Sequence, residues 1–416
     1  MNYAPELIGV GRVTTEVGEH LAACGHSVVV VTTPPHYPTW KVEAPYRNAR
    51  YSVEALGAVK VIRCPLAVHE QIVGIRRLIA PLTYALTSAP VVIWQFLTWR
   101  PHAVLCIEPT LLCAPVALIG ATVCGSATIL YVQDLEVDAG FAMGHLSEVT
   151  WLRKIALAFE RFVIRGFDRV ITISSKMADR LLGKGVAEDK IEVVRNWVDL
   201  DKIYPLKGPS VYREELGLRE GCKVVLYSGN IGAKQGVSLI VEAARRLSHR
   251  PDIIFIVAGE GPMKAELLDR AAELQNVWFL PFQPEERMSE FLGLADVHLL
   301  PQIAAAADLL LPSKLGAMLA SGRPIVVAAA EGTELANFVG NAATIVPPGD
   351  SAAFAGAIQT IVDGTSDARR SVELRLGLAG RLAKADRLID IERVLAKHGI
   401  QPDLERAEAE HVTLPA

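Results

Sequence analysis

The sequence predicts an α/β protein made of two doubly wound domains that face each other across a cleft. Strand and helix signals alternate in two separate stretches, which is typical of parallel sheets built from βαβ units. The 416 residues are enough for two domains, each with its own core. Between the two stretches, residues 200–220 contain Pro205, Gly208 and Pro209 with few apolar clusters, and this break predicts a linker.

The first stretch begins with a helix and continues with parallel strands. Apolar Val13, Val17 and Leu21 recur at helical spacing, and Gly25 closes the helix. The β-branched run over residues 26–34 is continuous, as expected of a strand buried on both faces. Further strands are predicted at AVLCIE, ATILYVQD and DRVITIS, with helices between them.

The second stretch restarts the alternation after the predicted linker. Strands are predicted at KVVLYSGN, DIIFIVAGEGP, VWFLPF, DVHLLPQ, PIVVAA and ATIVPPGD, and a final helix with a charged face at about residues 384–398. These signals define a first domain at 1–205, a second at 206–383, and a helix and tail at 384–416. We expect the final helix to pack back on the first domain.

Composition and charge narrow the class of protein. A net charge of −4 gives no basic surface for nucleic acid. The six cysteines include no Cys-x-x-Cys pair, and His20, His26, His36 and His145 have no partners at ligand spacing. We therefore expect free thiols in a reducing compartment and no metal site. With no signal peptide before the first helix, the chain is predicted to be cytoplasmic.

Two segments raise the question of membrane contact. Residues 78–97 are uncharged and about as long as a membrane span, but Pro81 and Pro90 interrupt them. The sequence favours a helix packed in the domain, or lying against the bilayer, over a true span.

A later helix, residues 151–166, has an apolar stripe with cations elsewhere. The stripe consists of Leu152, Ile155, Phe159 and Phe162. Core packing is the interpretation we favour for it, with membrane docking through the cations as the alternative.

Three loops of the second domain are suited to binding an anion. In SGNIGAKQG, glycines allow close backbone approach, the following helix offers free N–H groups, and Lys234 adds a charge. The spacing is not that of a P-loop, and an ordinary Gly-rich turn is the alternative. AGEGPMKAEL turns in the same way. Lys314 follows Pro312 and Ser313 at a predicted helix start, where a cation opposes the helix dipole and needs an anionic partner. Together the loops predict a diphosphate ligand.

The first domain offers a carboxylate cluster and an aromatic loop. Asp134, Glu136 and Asp138 alternate after a predicted strand, which suggests a general base at the cleft, a metal site or a solvated turn. In PPHYPTW, His36, Tyr37 and Trp40 are candidates for lining a sugar site.

Taken together, these segments resemble the retaining glycosyltransferases of the GT-B fold, group 1 or family four, over nearly the whole chain. The resemblance rests on APELIGVGR, DRVITISSKMADRLLGKGV, KIEVVRNWVDLDKIYP, YSGNIGAKQG, VAGEGPMKAEL, FLPFQPEERMSEFLGLADVHLLP, SGRPIVV and VPPGD. PPHYPTW, VQDLEVD and LPSKLGAMLASGRP are most similar to the branch that builds colanic acid and other bacterial exopolysaccharides.

The resemblance implies a set of donor-binding residues. For the donor diphosphate it implies Gly9, Gly11, Asn230 and Lys234, and the anion-binding loops described above add Gly229 and Gly261 as candidate nucleotide-sugar-binding residues. Pro281, Phe282 and Gln283 match the segment that reads the nucleotide base, and Ser313 and Lys314 match the loop that holds the distal phosphate. Lys234 and Lys314 would then stabilise the leaving diphosphate without a metal or other cofactor.

Three departures from the family pattern affect these assignments. Ala317 and Leu309 occupy the positions of two common glutamates, with Asp308 beside the latter, so ribose recognition must differ. Asn230 replaces a common Arg. Gln133 replaces a common His, which leaves Asp134 as the candidate that activates the acceptor.

The resemblance also implies partners and a place in the cell. We expect a UDP- or GDP-linked sugar as donor, a lipid-linked saccharide as acceptor, and peripheral association with the inner face of the membrane. In this fold a central strand precedes the Gly9–Gly11 loop, and none is visible before Asn2, so we expect the true start to lie upstream. An epimerase of the same fold and a catalytically silent scaffold remain alternatives.

Overall fold

The computed structural model describes residues 1–6, 9–37, 39–69, 78–135, 150–304, 312–364 and 368–402. The chain divides into two compact units, one of Met1–Val194 with Leu388–Ala416 and the other of Arg195–Arg387. The second unit therefore begins before the expected boundary at 205/206, and the final helix contributes from Leu388 onward to the first unit.

The stretch predicted as a linker belongs to the second unit. Ser210 and Tyr212 are buried, and the Tyr212 ring packs edge-on against Phe291 with centroids 5.2 Å apart. Leu206 lies against Gly293. The few apolar residues of this stretch pack onto the core of the unit, which the scarcity of apolar clusters in the sequence did not indicate.

The first unit contains two sheets. Its strands are β1 Val28–Thr32, β2 Ser52–Leu56, β3 Val59–Arg63, β4 Ala103–Glu108, β5 Ala127–Val132, β6 Arg169–Thr172 and β7 Ile191–Val193. In the described residues the sheet orders are β1-β3-β2 and β4-β5-β6-β7. All pairings are parallel except that of β2 with β3. The strands predicted in this domain are confirmed.

A cavity of about 300 Å³ is lined by successive residues of both β1 and β4, together with apolar side chains of the neighbouring helices. Residues 28–31 are consequently half-buried, and the expectation that this strand is buried on both faces is wrong. At the end of β1, the Met1 carbonyl accepts hydrogen bonds from the Thr33 amide at 3.3 Å and from the Thr32 hydroxyl at 2.7 Å. The cavity thus separates two sheet edges inside one unit.

The second unit is built on one parallel sheet. Its strands are β8 Lys223–Ser228, β9 Ile253–Ala258, β10 Val277–Leu280, β11 Val297–Pro301, β12 Ile325–Ala328 and β13 Thr344–Val346. In the described residues their order is β10-β9-β8-β11-β12-β13, with every pair parallel. The order reverses between β8 and β11, as in a doubly wound fold, and all six predicted strands are confirmed.

Helices connect and cover these strands. Those of the first half are α1 Val10–Ala23, α2 Ile79–Thr98, α3 Ala114–Cys124, α4 Thr150–Arg165 and α5 Ser175–Gly183. Those of the second half are α6 Tyr212–Glu215, α7 Ser238–Arg246, α8 Lys264–Arg270, α9 Met288–Gly293, α10 Leu315–Ala320, α11 Glu334–Val339, α12 Ser351–Val362, α13 Ala368–Gly380 and α14 Lys384–Ala396.

Helix α2 is two-sided. By length and composition it is the one helix among the described residues that is apolar enough to cross a membrane. Tyr84 and Phe96 are nevertheless buried in the unit, and an opposite stripe is exposed. That stripe consists of Leu82, Leu86, Ile93 and Leu97.

Helix α4 buries a different face from the one predicted. Its buried residues include Glu160, Val163 and Ile164, whereas Ile155 and Phe162 are 57% and 78% exposed. The prediction that core packing explains the apolar stripe is therefore wrong for Ile155 and Phe162, whereas Phe159 is half-buried and the Leu152 side chain lies outside the described residues. The helix is apolar on two faces, and the buried face also holds the Glu160 carboxylate, which accepts a hydrogen bond from the Lys184 ammonium.

Candidate functional site

The donor-binding loops predicted for the second unit lie at the carboxyl ends of adjacent strands. The loop after β8 and the loop after β9 are joined by main-chain hydrogen bonds, from Gly229 N to Ala258 O at 3.0 Å and from Ile231 N to Glu260 O at 2.8 Å. Because parallel strands end at one sheet edge, these loops form a single surface where doubly wound sheets bind ligands.

Glycine is required where the two loops touch. A Cβ on Gly259 would lie 1.9 Å from the Gly229 carbonyl oxygen, and one on Gly261 would lie 2.4 Å from the Ile231 carbonyl oxygen. Both glycines have positive φ values, 144° and 155°. Only a residue without a side chain permits this approach, which leaves backbone groups of both loops at the sheet edge.

Lys314 lies beneath the first of these loops. Its Nζ is buried and lies 3.7 Å from the centre of the Tyr227 ring. A Cβ on Gly229 would be 3.4 Å from the same atom. Among the described residues Nζ has no hydrogen-bond partner, and burial lowers the pKa of Lys314 from 10.5 to about 7. An ammonium in this position would be stabilised by an anion.

Ser313 and Lys314 precede a short helix. Lys314 was predicted to lie in the first turn of a helix. It is instead the N-cap residue of α10, because that helix begins one residue later at Leu315. Ser313 is exposed. Asp308, the residue predicted beside the missing glutamate, lies outside the described residues. Ala317, at the position of the other glutamate, packs against the apolar core.

Lys234 is held in a one-turn 3₁₀ helix, Ala233–Gln235, in the loop after β8. Its carbonyl accepts a hydrogen bond from Ile303 N at 3.4 Å, which ties this loop to the chain that follows β11. The neighbouring Asn230 is exposed, and its carbonyl accepts a hydrogen bond from the Tyr227 hydroxyl at 2.6 Å. Tyr227 therefore supports both the Asn230 backbone and the Lys314 ammonium.

The predicted base-reading segment follows β10. The Gln283 side chain accepts a hydrogen bond from the Tyr212 hydroxyl at 2.9 Å and donates one to the Pro281 carbonyl at 2.9 Å. Phe282, which lies between them in the sequence, is exposed. The Gln283 side chain thus holds this segment in place, and the Pro281 carbonyl already accepts a hydrogen bond from it.

In the first unit, the Gly9–Gly11 turn packs against the backbone of Glu6. Gly9, with φ 59°, caps α1 and is open on its Cβ side, whereas a Cβ on Gly11 would lie 2.3 Å from the Glu6 carbonyl oxygen. The Glu6 carboxylate accepts hydrogen bonds from the amides of His36 and Tyr37. His36 is buried, so in this structure it packs in the fold and does not line an open site.

The candidate acceptor-activating residue, Asp134, lies just beyond β5 and is half-buried, between the buried Gln133 and Leu135. Glu136 and Asp138 lie outside the described residues. At the end of the adjacent β4 the structure places another carboxylate, Glu108, which is fully buried and pairs in register with Val132. Sequence reasoning missed Glu108 because it ends an ordinary apolar strand.

Comparison with known proteins identifies the family. Residues 9–197 match the Glycosyl transferase 4-like domain, and residues 222–363 match the Glycosyl transferases group 1 family. The colanic acid biosynthesis glycosyl transferase WcaI of Escherichia coli K12 is 38% identical over 372 residues, which cover 87% of this chain and 91% of that protein. The chain belongs to the group 1 glycosyltransferases of GT-B fold.

Solved structures agree with this fold for the glycosyltransferase. Sucrose-phosphate synthase from Thermosynechococcus elongatus superposes with a TM-score of 0.73 at 17% identity, covering 94% of this chain and 93% of the other. Anabaena HepE in complex with UDP gives 0.62 at 17% identity, covering 89% and 100%. The predicted fold class of two Rossmann-like domains is confirmed.

One prediction about histidines is wrong. His20 does have a partner at ligand spacing, because Cys24 lies four residues further along α1 and its Sγ is 3.6 Å from His20 Nε2. The third member of the group, Glu392, comes from α14. A His-x-x-x-Cys pair on one helix face was the available sequence signal.

Proposed function

We propose that this glycosyltransferase moves a sugar from a nucleotide-diphosphate donor to a lipid-linked saccharide, with retention of configuration, in bacterial exopolysaccharide or cell-surface glycan synthesis. The colanic acid assignment of the E. coli relative supports the pathway class, and the UDP bound to HepE supports the donor class. Asp134 is the proposed acceptor-activating carboxylate. NMR of the linkage formed tests retention.

The observation that carries the proposal is the buried Lys314 ammonium at the donor loops. It lies against a glycine turn and the Tyr227 ring, without a hydrogen-bond partner among the described residues. A donor diphosphate supplies the missing negative charge. As the bond to the sugar breaks, more charge develops on that diphosphate, and a positioned cation stabilises it without a metal ion.

Donor binding should depend on pH through Lys314. Its pKa is about 7 in the free protein, and a bound diphosphate would raise it again. Below pH 7 the cation is already present, whereas above pH 7 binding must take up a proton. The affinity for UDP-glucose should therefore fall by about tenfold per pH unit above 7. Calorimetric titrations from pH 6.5 to 9, in buffers of different ionisation enthalpy, measure both the affinity and the proton uptake.

The matched control is Lys314→Arg, because a guanidinium stays charged over this range. The variant should bind donor with an affinity that varies little with pH and without the proton uptake. A pH dependence that is the same in the variant and the parent would place its origin elsewhere and remove the main support for the site.

Helix α4 supports the membrane part of the proposal. Trp151, Ile155 and Phe162 fall within about 40° on the helix surface at 100° per residue and are exposed, with Lys154 and Arg161 beside them. An exposed apolar stripe flanked by cations is the pattern of a helix that lies at an anionic bilayer surface. A lipid-linked acceptor would be reached there.

The double substitution Trp151→Ser with Phe162→Ser should weaken binding to phosphatidylglycerol-containing vesicles by at least about tenfold, because two exposed apolar anchors are lost. Co-sedimentation with vesicles measures this. The control is Val211→Ser, which removes an exposed apolar residue of the second unit. Equal binding by the parent, the double variant and the control would refute docking through α4.

A further inference from the structure

Three side chains with metal-binding atoms meet at the end of α1, apart from the donor loops. His20 lies in the last turn of α1, Cys24 caps that helix, and Glu392 projects from α14. All belong to the first unit. Within the described part of the chain, they form the one group of three or more His, Cys, Asp or Glu side chains whose ligand atoms converge.

The separations of the three ligand atoms suit a small divalent cation. Cys24 Sγ lies 3.6 Å from His20 Nε2 and 3.7 Å from Glu392 Oε2, and the latter two atoms are 3.6 Å apart. The centre of such a triangle is about 2.1 Å from every corner, close to the lengths of Zn–N, Zn–O and Zn–S bonds. No side chain has to move far for an ion to enter.

A nearby histidine provides a second observation. His26 Nε2 is buried and has no hydrogen-bond partner among the described residues. His26 follows Cys24 by two residues, and its amide donates a hydrogen bond to the Leu21 carbonyl of α1 at 3.0 Å, which holds it at the end of that helix. A buried imidazole nitrogen without a partner is costly unless it accepts or donates a bond, and coordination would satisfy it.

The donor set selects the kind of metal. Thiolate, imidazole and carboxylate together match zinc, whereas calcium and magnesium favour oxygen ligands alone. We propose that His20, Cys24 and Glu392 bind one Zn²⁺ ion and that the ion fastens α14 to α1. The His26 ring, which is outside this group of converging atoms, would have to move toward them to become a fourth ligand. Binding would displace the Cys24 thiol proton to solvent.

Metal titration of the full-length protein without an affinity tag tests the proposal. After chelator treatment, Co²⁺ serves as the spectroscopic probe and Zn²⁺ as its competitor. We expect one Co²⁺ per chain with a thiolate-to-metal charge-transfer band, which Zn²⁺ abolishes. Hydrogen exchange of the α14 amides should slow when Zn²⁺ is added, because the ion would hold that helix in place.

Variants locate the site. Cys24→Ser should abolish the charge-transfer band and weaken Zn²⁺ binding by at least about 100-fold, and Glu392→Gln should weaken it by about tenfold or more. Cys124→Ser is the control, because Cys124 is a half-buried thiol of the same unit that bonds instead to the Phe96 carbonyl. Circular dichroism checks that every variant is folded.

Two results would overturn the proposal. One is the absence of stoichiometric Co²⁺ or Zn²⁺ binding, which would leave a hydrogen-bonded Cys–His–Glu cluster. The other is a charge-transfer band that survives in Cys24→Ser or disappears in Cys124→Ser. Neither result bears on the donor site, because these residues belong to the first unit and the Lys314 site to the second.

Discussion

Replacement of Lys314 by Ala should reduce sugar transfer by about 100-fold or more, because the leaving diphosphate loses a buried cation aimed at its developing charge. Lys234→Ala should have an effect of the same size. Lys234 lies in the loop after β8, which also covers Lys314. Incorporation of labelled sugar from UDP- or GDP-linked donors into a membrane lipid extract measures turnover.

The control for these variants is Lys202→Ala in the same unit. Lys202 forms an ion pair with Glu285 in which both side chains are about half exposed, and its loss should change turnover less than about twofold. Full turnover in both Lys234→Ala and Lys314→Ala would mean that the donor site has been assigned to the wrong residues.

The free energy of unfolding distinguishes a Lys314 variant that has lost only its cation from one that is misfolded. A lysine whose pKa falls from 10.5 to about 7 on folding binds fewer protons in the folded than in the unfolded chain between those pH values. Stability from this group therefore rises with pH across that window and is lowest below pH 7. Lys314→Met removes the buried charge, so it should keep or raise stability near pH 7 while transfer is lost.

Of the substitutions considered, Gly259→Ala should lower the free energy of unfolding the most, by about 3 kcal/mol or more. The new Cβ would lie 1.9 Å from the Gly229 carbonyl oxygen, and the φ of 144° is one that residues with side chains rarely adopt. To relieve the clash, the loops after β8 and β9 must separate. Denaturant unfolding of parent and variant measures the difference.

Gly217→Ala separates backbone strain from the clash. Gly217 also has a positive φ, 62°, but nothing lies within 4 Å of the place that a Cβ would take there. It should lose only about 1 kcal/mol from the left-handed conformation. If the two variants were equally stable, contact between the loops would not be what requires glycine at position 259. Donor binding should fail in Gly259→Ala alone.

The second unit was predictable from sequence to a large extent, because buried strands of a parallel sheet read as continuous apolar runs between glycine turns. The setting of Lys314 was not. It depends on Tyr227 and Gly229, which precede it by more than 80 residues and reach it only once β8 and β11 pair. Sequence indicated a cation near a helix start and could not show that it is buried.

Two errors in the first unit have physical causes of the same kind. Helix α4 is apolar on two faces, and periodicity alone cannot decide which face is buried. The Glu160–Lys184 pair lies on the buried side. In the His20, Cys24 and Glu392 cluster, Cys24 and Glu392 are 368 positions apart, so local spacing could have shown only the His-x-x-x-Cys pair, which was overlooked. In both cases, contacts between residues far apart in the sequence decide which side chains are buried and which are brought together.

The cavity between β1 and β4 has a mechanical consequence. In the described residues no main-chain ladder joins the two sheets of the first unit, so the side chains around them transmit motion between the two. Met1 is fastened to the β1 sheet and leads into the Gly9–Gly11 turn, while Asp134 extends from the β5 sheet. Two sheets that touch only through side chains move relative to each other more readily than strands joined by main-chain hydrogen bonds. We therefore expect the turn and the carboxylate to shift relative to each other more readily than two groups on one continuous sheet would.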